Sequence, residues 1–217
     1  VVNFIGAPLA AGAANLFPAA TLEDAAIAAV ALARGRKPPA RSASREKVPA
    51  MRFKASQRYV RGLYSGGTFC YEACAILGDA WSNAPINERL RLEDVWKSQG
   101  NTLIDLGDDV FTRGRPHPMI DHRLRNERLL AEAADPQVAV ILFDVVLGYG
   151  AHPDPAAEMV PVIRKAQDAA RRKGRAIAFI GSVCGTDEDP QGLAGQEAAL
   201  RGAGVLLAGS NARAARL

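Results

Sequence analysis

Tyr59-Val60-Arg61-Gly62-Leu63-Tyr64-Ser65-Gly66-Gly67-Thr68-Phe69-Cys70-Tyr71-Glu72-Ala73 is the stretch on which the fold turns. Tyr59, Val60, Leu63 and Tyr64 suit a mostly buried strand. Gly66 and Gly67 accept backbone angles that a side chain forbids. Phe69 to Leu77 supplies helix formers, with Glu72 early enough to complement the helix dipole. The segment reads as strand, glycine–serine turn and helix. A turn of this kind exposes N–H groups at a helix N-terminus and can hold an anion. No Walker lysine follows and the spacing departs from GxGxxG, so the local pattern is equally that of a plain tight turn.

Downstream, strand and helix patterns alternate. Thr102 to Gly107 predicts a strand, and Pro118 or Asp121 to Ala134 a helix stopped by Asp135-Pro136. Val138 to Val146 is apolar on both faces except at Asp144, as in a parallel strand covered on both sides. Asp154-Pro155 caps the next helix, whose Met159, Val160, Ile163, Ala166 and Ala170 recur at helical spacing. Ala176 to Val183 predicts a strand, Asp189-Pro190 to Gly202 a helix and Val205 to Ala208 the last strand. A short helix is expected near Leu92 to Ser98. The order β-α-β-α-β-α-β-α-β predicts an open parallel sheet with helices on both faces. Its ligands bind beyond the strand C-terminal ends.

Upstream, Val1 to Gly6 reads as a strand, residues 7–20 as a loop, and Thr21-Leu22-Glu23-Asp24 as a capped helix start closed by Arg34-Gly35. One strand and one helix build no core alone, so residues 1–36 are expected to be the tail of an upstream α/β unit. Residues 37–57, with Pro38-Pro39 and several cations, read as a linker, and 58–217 as the main domain. A start at Val1 without Met suggests the interior of a longer polypeptide.

Composition narrows the function classes. The 217-residue chain is 48% apolar, enough for a substantial core. Its net charge of +4 comes from residues 34–61, which hold ten Lys/Arg against Glu46; the remainder holds 17 basic and 22 acidic residues. A folded body without a basic face argues against nucleic-acid binding. Cys70, Cys74 and Cys184 form no CxxC pair and read as small buried residues in a reducing compartment. No stretch has the length of a membrane span and no secretory signal is present, so a cytoplasmic protein is expected.

The unusual polar residues fall after the strands. Gly107-Asp108-Asp109 through Arg113-Gly114-Arg115-Pro116-His117-Pro118-Met119-Ile120-Asp121 is the densest stretch. Arg115 can grip a carboxylate or phosphate with two parallel hydrogen bonds. His117, held between prolines, can donate or accept a proton. Asp108 and Asp109 can orient it or hold Mg²⁺ through water. The structural alternative is a stiff loop in which Arg113 or Arg115 pairs with Asp121. His122, on a helix among Arg123, Arg125 and Arg128, is expected to face solvent, and His152 to be a surface-loop residue. Asp187-Glu188-Asp189-Pro190-Gln191 reads as a metal cluster or, preferred here, a helix cap. No metal ligand is assigned. The expected catalytic groups are Arg115, His117 and Asp109. Ligand contacts are assigned to Ser65, Gly66, Gly67, Thr68, Gly148, Gly150, Gly185, Thr186 and Gln191.

Arg61 to Ala73, Gly114-Arg115-Pro116-His117-Pro118-Met119-Ile120-Asp121, Asp144 to Gly150 and Cys184-Gly185-Thr186 to Gln191 together resemble the FdrA family, relatives of the succinyl-CoA synthetase α subunit. The likeness runs from about residue 58 to 217. It implies a flavodoxin-like, three-layer αβα CoA-ligase domain. It also implies acyl-CoA synthesis with CoA, ATP and Mg²⁺, an upstream CoA-binding domain, and partner subunits or a homo-oligomer. Some FdrA-type proteins are associated with oxamate carbamoyl transfer in allantoin breakdown, a second expectation; a non-catalytic structural module is the third. One departure stands out. The synthetases carry a phosphorylated histidine in a Gly-His-Ala-Gly loop, whereas Asp189 to Gln196 contains no histidine. Phosphoryl relay through that position is excluded in this domain, and His117 lies on a different loop.

Overall fold

The computed structural model describes residues 1–7, 15–39 and 49–217. Parts of the expected loop at 7–20 and linker at 37–57 lie outside them. The elements in chain order are α1 (Leu22–Ala33), β1 (Tyr59–Tyr64), α2 (Gly67–Leu77), β2 (Trp81–Ser82), β3 (Thr102–Asp105), α3 (Asp109–Thr112), α4 (Arg123–Ala134), β4 (Val138–Val146), α5 (Pro155–Arg172), β5 (Ala178–Cys184), α6 (Leu193–Gly202), β6 (Leu206–Leu207) and α7 (Asn211–Arg216).

All strand pairs are parallel, and the sheet runs β2-β3-β1-β4-β5-β6. After β1 the chain crosses to the edge at β2, fills the gap with β3, and then returns to lay β4 against the other flank of β1. The switch point lies between β1 and β4, where an open sheet leaves a crevice at its carboxyl edge. The two-residue β2, absent from the sequence reading, prolongs the β3 edge.

Side-chain alternation feeds two cores, one per face. Leu63, Ile104, Ile141, Phe143, Val145 and Phe179 join Leu129, Met159, Ile163 and Leu200 of α4, α5 and α6. Tyr64, Leu103, Leu142 and Ile180 join Cys70, Ala73 and Ala214 of α2 and α7. Adjacent strand residues point to opposite faces, so β4 needs a nearly continuous apolar run. This is the expected flavodoxin-like αβα sandwich.

Polar groups fix α4 to the sheet. Buried Arg61 of β1 donates from Nε to Glu132 at 2.7 Å and from Nη2 to Asp135 at 3.0 Å. Glu132 also accepts from Arg128 Nε at 2.6 Å and Ser98 Oγ at 2.5 Å.

Several expectations change. Val1 to Gly6 is no strand; only Val2 forms a bridge, with Pro18. Leu92 to Ser98 forms turns, and the nearby helical turn is Glu88–Leu90. The helix expected from Asp189 starts at Leu193, because the preceding residues fold into turns. Glu72 does more than complement a dipole: its buried carboxylate accepts from Leu22 N and Asn211 Nδ2, both at 2.8 Å. That contact docks the N-terminus of α1 on α2, helped by an Arg213–Glu23 ion pair at 2.5 Å. Cys70 and Cys74 are buried as expected, while Cys184 at the end of β5 is exposed. No helix among the described residues is long and apolar enough to cross a membrane.

Gly62, in the middle of β1, has no room for a side chain: a Cβ there would sit 2.3 Å from Leu103 Cδ2 and 2.8 Å from Tyr64 Cε2. Gly62→Ala should lower stability by about 1–3 kcal/mol through overpacking, read as a lower urea midpoint at unchanged m value.

Candidate functional site

The crevice between β1 and β4 is organised by a buried carboxylate. Asp144 has no solvent exposure and accepts from Ser65 N at 2.7 Å, Ser65 Oγ at 2.9 Å and Gly66 N at 3.0 Å. Arg125, also fully buried, reaches it with Nη1, 2.6 Å from the Asp144 carbonyl and 3.3 Å from Oδ1. Arg125 Nη2 contacts His122 Nδ1 at 2.5 Å and Met159 Sδ at 3.1 Å. His122 is therefore buried, contrary to its expected exposure. Among its arginine neighbours Arg123 is exposed, but Arg125 and Arg128 turn inward because acids and carbonyls partner them. Burial, then the neighbouring Arg125 and His152, push the His122 pKa down to about 3.

Asp144 already fills part of the expected anion turn. The Ser65 and Gly66 N–H groups are committed to it. The N–H groups of Gly67 and Thr68, in the first turn of α2, have no partner among the described residues.

Beside them sits an acid that the sequence reading placed only within a strand. Asp105 ends β3. Asn83 grips its backbone from both sides, accepting from Asp105 N and donating to Asp105 O, each at 3.0 Å. Its carboxylate accepts Gly107 N–H at 2.9 Å. A Cβ on Gly67 would lie 2.6 Å from Asp105 Oδ2. A Cβ on Gly107 would lie 2.6 Å from His117 Nε2, 3.0 Å from the Ser65 carbonyl oxygen and 3.1 Å from Asp105 Oδ1. His117 thus meets Asp105 and the Ser65 turn above a glycine. Its Nδ1 accepts Met119 N–H at 3.3 Å. Burial, followed by Asp108 and Asp144, raises the Asp105 pKa, while the Gly107 hydrogen bond and His117 oppose the rise. A lone aspartate just before a glycine at a strand's carboxyl end was the signal that sequence reading passed over.

The remaining candidates divide. Asp109 is exposed at the start of α3, and Asp108 caps that helix through Val110 N at 3.0 Å. Arg115 is exposed and lines a surface groove of about 300 Å³ with Gly114, Pro116, Asp121, Arg123, Leu124 and Glu127. Asp121 pairs with Arg123 at 2.5 Å, not with Arg113 or Arg115, and that guanidinium holds its carboxyl down at about 2. Among the described residues Arg115 forms no hydrogen bond or ion pair with Ser65 or His117, although one loop carries both Arg115 and His117. Gln191 is a clasp: its Oε1 accepts Gly148 N at 3.1 Å, and its Nε2 donates to Gly148 O at 2.8 Å and His152 O at 3.2 Å. Thr186 closes a turn on Asp189, with N–H to Oδ2 at 2.6 Å. Gly185 lets the chain pass Leu147, where a Cβ would come within 2.8 Å. Gly150 is exposed with φ +83° and touches no other candidate. His152 N donates to Met119 O at 2.8 Å, so the loops after β3, β4 and β5 are knitted into one rim. Among the described residues no group of three His, Cys, Asp or Glu is placed to hold a metal ion.

With this geometry in view, residues 63–217 match the family model described as CoA-ligase, and the chain belongs to that family. It is 44% identical over 164 residues to Uncharacterized protein YahF of Escherichia coli (strain K12), a match covering 74% of this chain and 32% of that protein. The match spans about a third of that relative's length.

Two outcomes follow from the buried network. Asp144→Asn should leave Arg125 without its counter-charge and cost about 3–5 kcal/mol, measured by urea unfolding. His122 stays neutral in the fold down to about pH 3. In the unfolded chain an imidazole protonates near 6.5, so unfolding takes up a proton in between. Its contribution is intact above about pH 6.5 and is lost as pH falls toward 3. His122→Gln should flatten the acid side of the stability–pH curve by roughly a few kcal/mol.

Proposed function

We propose that this member of the CoA-ligase family is an acyl-CoA synthetase module of FdrA type. It binds a phosphate- or carboxylate-bearing small molecule at the carboxyl rim of its sheet and uses no phosphohistidine. The observation that carries this reading is the meeting of His117, Asp105 and the unpaired Gly67 and Thr68 N–H groups at the carboxyl ends of β1 and β3, beside the switch point. The two amides supply donors at the positive end of α2. The charge for a second anionic group of the ligand falls to Arg115, two residues before His117 on the same loop.

The residues fit part of what the family implies. Gly67, Thr68 and Arg115 suit a phosphate of CoA or a nucleotide, and bound CoA would supply a thiol. They do not fit a bound Mg²⁺: Asp108 is engaged as a helix cap and by Asn83, and Asp109 points to solvent. Partner subunits and a CoA-binding domain belong to the same proposal.

A second reading is carbamoyl transfer from carbamoyl phosphate to a small 2-oxo acid, as a subunit of an oxamate carbamoyltransferase. The acceptors favouring it are the Asp105 carboxylate and the Ser65 carbonyl, side by side and able to take the N–H bonds of a carbamoyl group.

Phosphate release by the full-length protein, with CoA, acid and ATP in one assay and carbamoyl phosphate with a 2-oxo acid in the other, separates the two. Millimolar phosphate, sulfate or nucleotide should raise Tm by about 2–5 °C. No shift with any of them argues against the rim site. A double variant, Arg115→Ala with His117→Ala, that keeps activity and ligand protection identifies a structural module instead.

A further inference from the structure

Asp105 is energetically out of place unless it works. Its carboxylate is half-buried, accepts one hydrogen bond among the described residues, from Gly107 N–H, and forms no ion pair there. Asp108 and Asp144 on neighbouring elements add like charge, and buried Cys70 lies close by; only the Gly107 N–H bond and then His117 favour its ionised form. Burying a charge with so little compensation is costly. Yet the fold secures the position: Asn83 clamps the backbone of Asp105, and glycines at 67 and 107 leave space for its two oxygens.

His117 is equally constrained. Met119 N–H donates to Nδ1, which must therefore be the unprotonated nitrogen, so the neutral ring carries its proton on Nε2. Nε2 and Asp105 Oδ1 both border the space over Gly107 that a side chain there would fill.

We propose that Asp105 and His117 form a catalytic pair with divided roles: the Asp105 carboxylate accepts the proton of a thiol nucleophile, and His117 Nε2–H steadies the charge on the acyl oxygen. The pair rests on the rim-site reading above. In the step, the S–H bond breaks and its proton passes to Asp105. The sulfur electron pair forms the C–S bond to the acyl carbon of an acyl phosphate. The C–O bond to phosphate breaks, phosphate leaves with that pair, and the proton returns from Asp105 to phosphate. No electrons are gained or lost. A raised pKa makes Asp105 a stronger base than an ordinary aspartate.

Asp105→Asn keeps the shape and the acceptor for Gly107 N–H, so the turn should survive. In the full-length protein, with acetyl phosphate and CoA as probes and thioester as readout, the variant should lose at least about 100-fold in kcat with little change in KM for acetyl phosphate. It should also lose the wild-type rise of rate with pH. Wild-type kcat and pH profile in the variant overturn the pair while leaving the site reading intact. Absence of thioester with wild-type protein counts against the site reading, and the pair is then decided by carboxyl ¹³C titration of Asp105. A pKa above the ordinary aspartate range that climbs further in His117→Gln supports the pair. An ordinary pKa indifferent to His117 overturns it.

Discussion

Everything at the rim leans on the buried pair Arg125–Asp144. Neither side chain touches solvent. Asp144 spends its acceptors on the turn after β1, and Arg125 spends a donor on the β4 backbone. A buried ion pair of this kind is a poor source of net stability, because desolvation offsets most of the attraction. Its contribution is geometric. It fixes where β1 ends, how α2 begins and how α4 lies across β4, three elements that come from distant parts of the chain. The two strands flank the switch point, so the pair sets the floor of the crevice.

The same logic repeats one layer away. Arg61, Arg128, Glu132 and Ser98 form a second buried polar cluster that ties α4 to β1. Arginine is mostly exposed, so three arginines in sequence around His122 point to a surface position for it. Here the arginines are where β1 and β4 need counter-charges. Period and composition alone could not show this, because the partners lie tens of residues away in sequence. His122 was misplaced for the same reason.

What could be read from the chain was the framework. The β-branched run at Val138 to Val146, the glycine turn at Ser65 to Gly67 and the Asp154-Pro155 cap are local signals, and each settles its element by itself. The convergence of the loops after β1, β3, β4 and β5 also followed from parallel topology, which puts every such loop on one edge. Chemistry within the rim was less legible. Gln191 looked like a ligand residue but clasps Gly148, and Asp109 points outward while Asp105, two residues before the loop proper, faces in. A strand-end residue changes face with a one-residue shift in where the strand stops, and boundaries are what sequence patterns fix least well.

Asp144 also constrains what the rim can bind. It already acts as the anion of the glycine–serine turn, and Asp105 lies close to the next glycine. A second anion entering here meets two carboxylates and has two backbone donors to satisfy it. Repulsion at this spacing is substantial even when screened, so the ionised Asp105 that can take a proton from a nucleophile also weakens the hold on phosphate. A site built this way holds phosphate loosely and favours its departure once the acyl group has moved, without a histidine that carries the phosphoryl group.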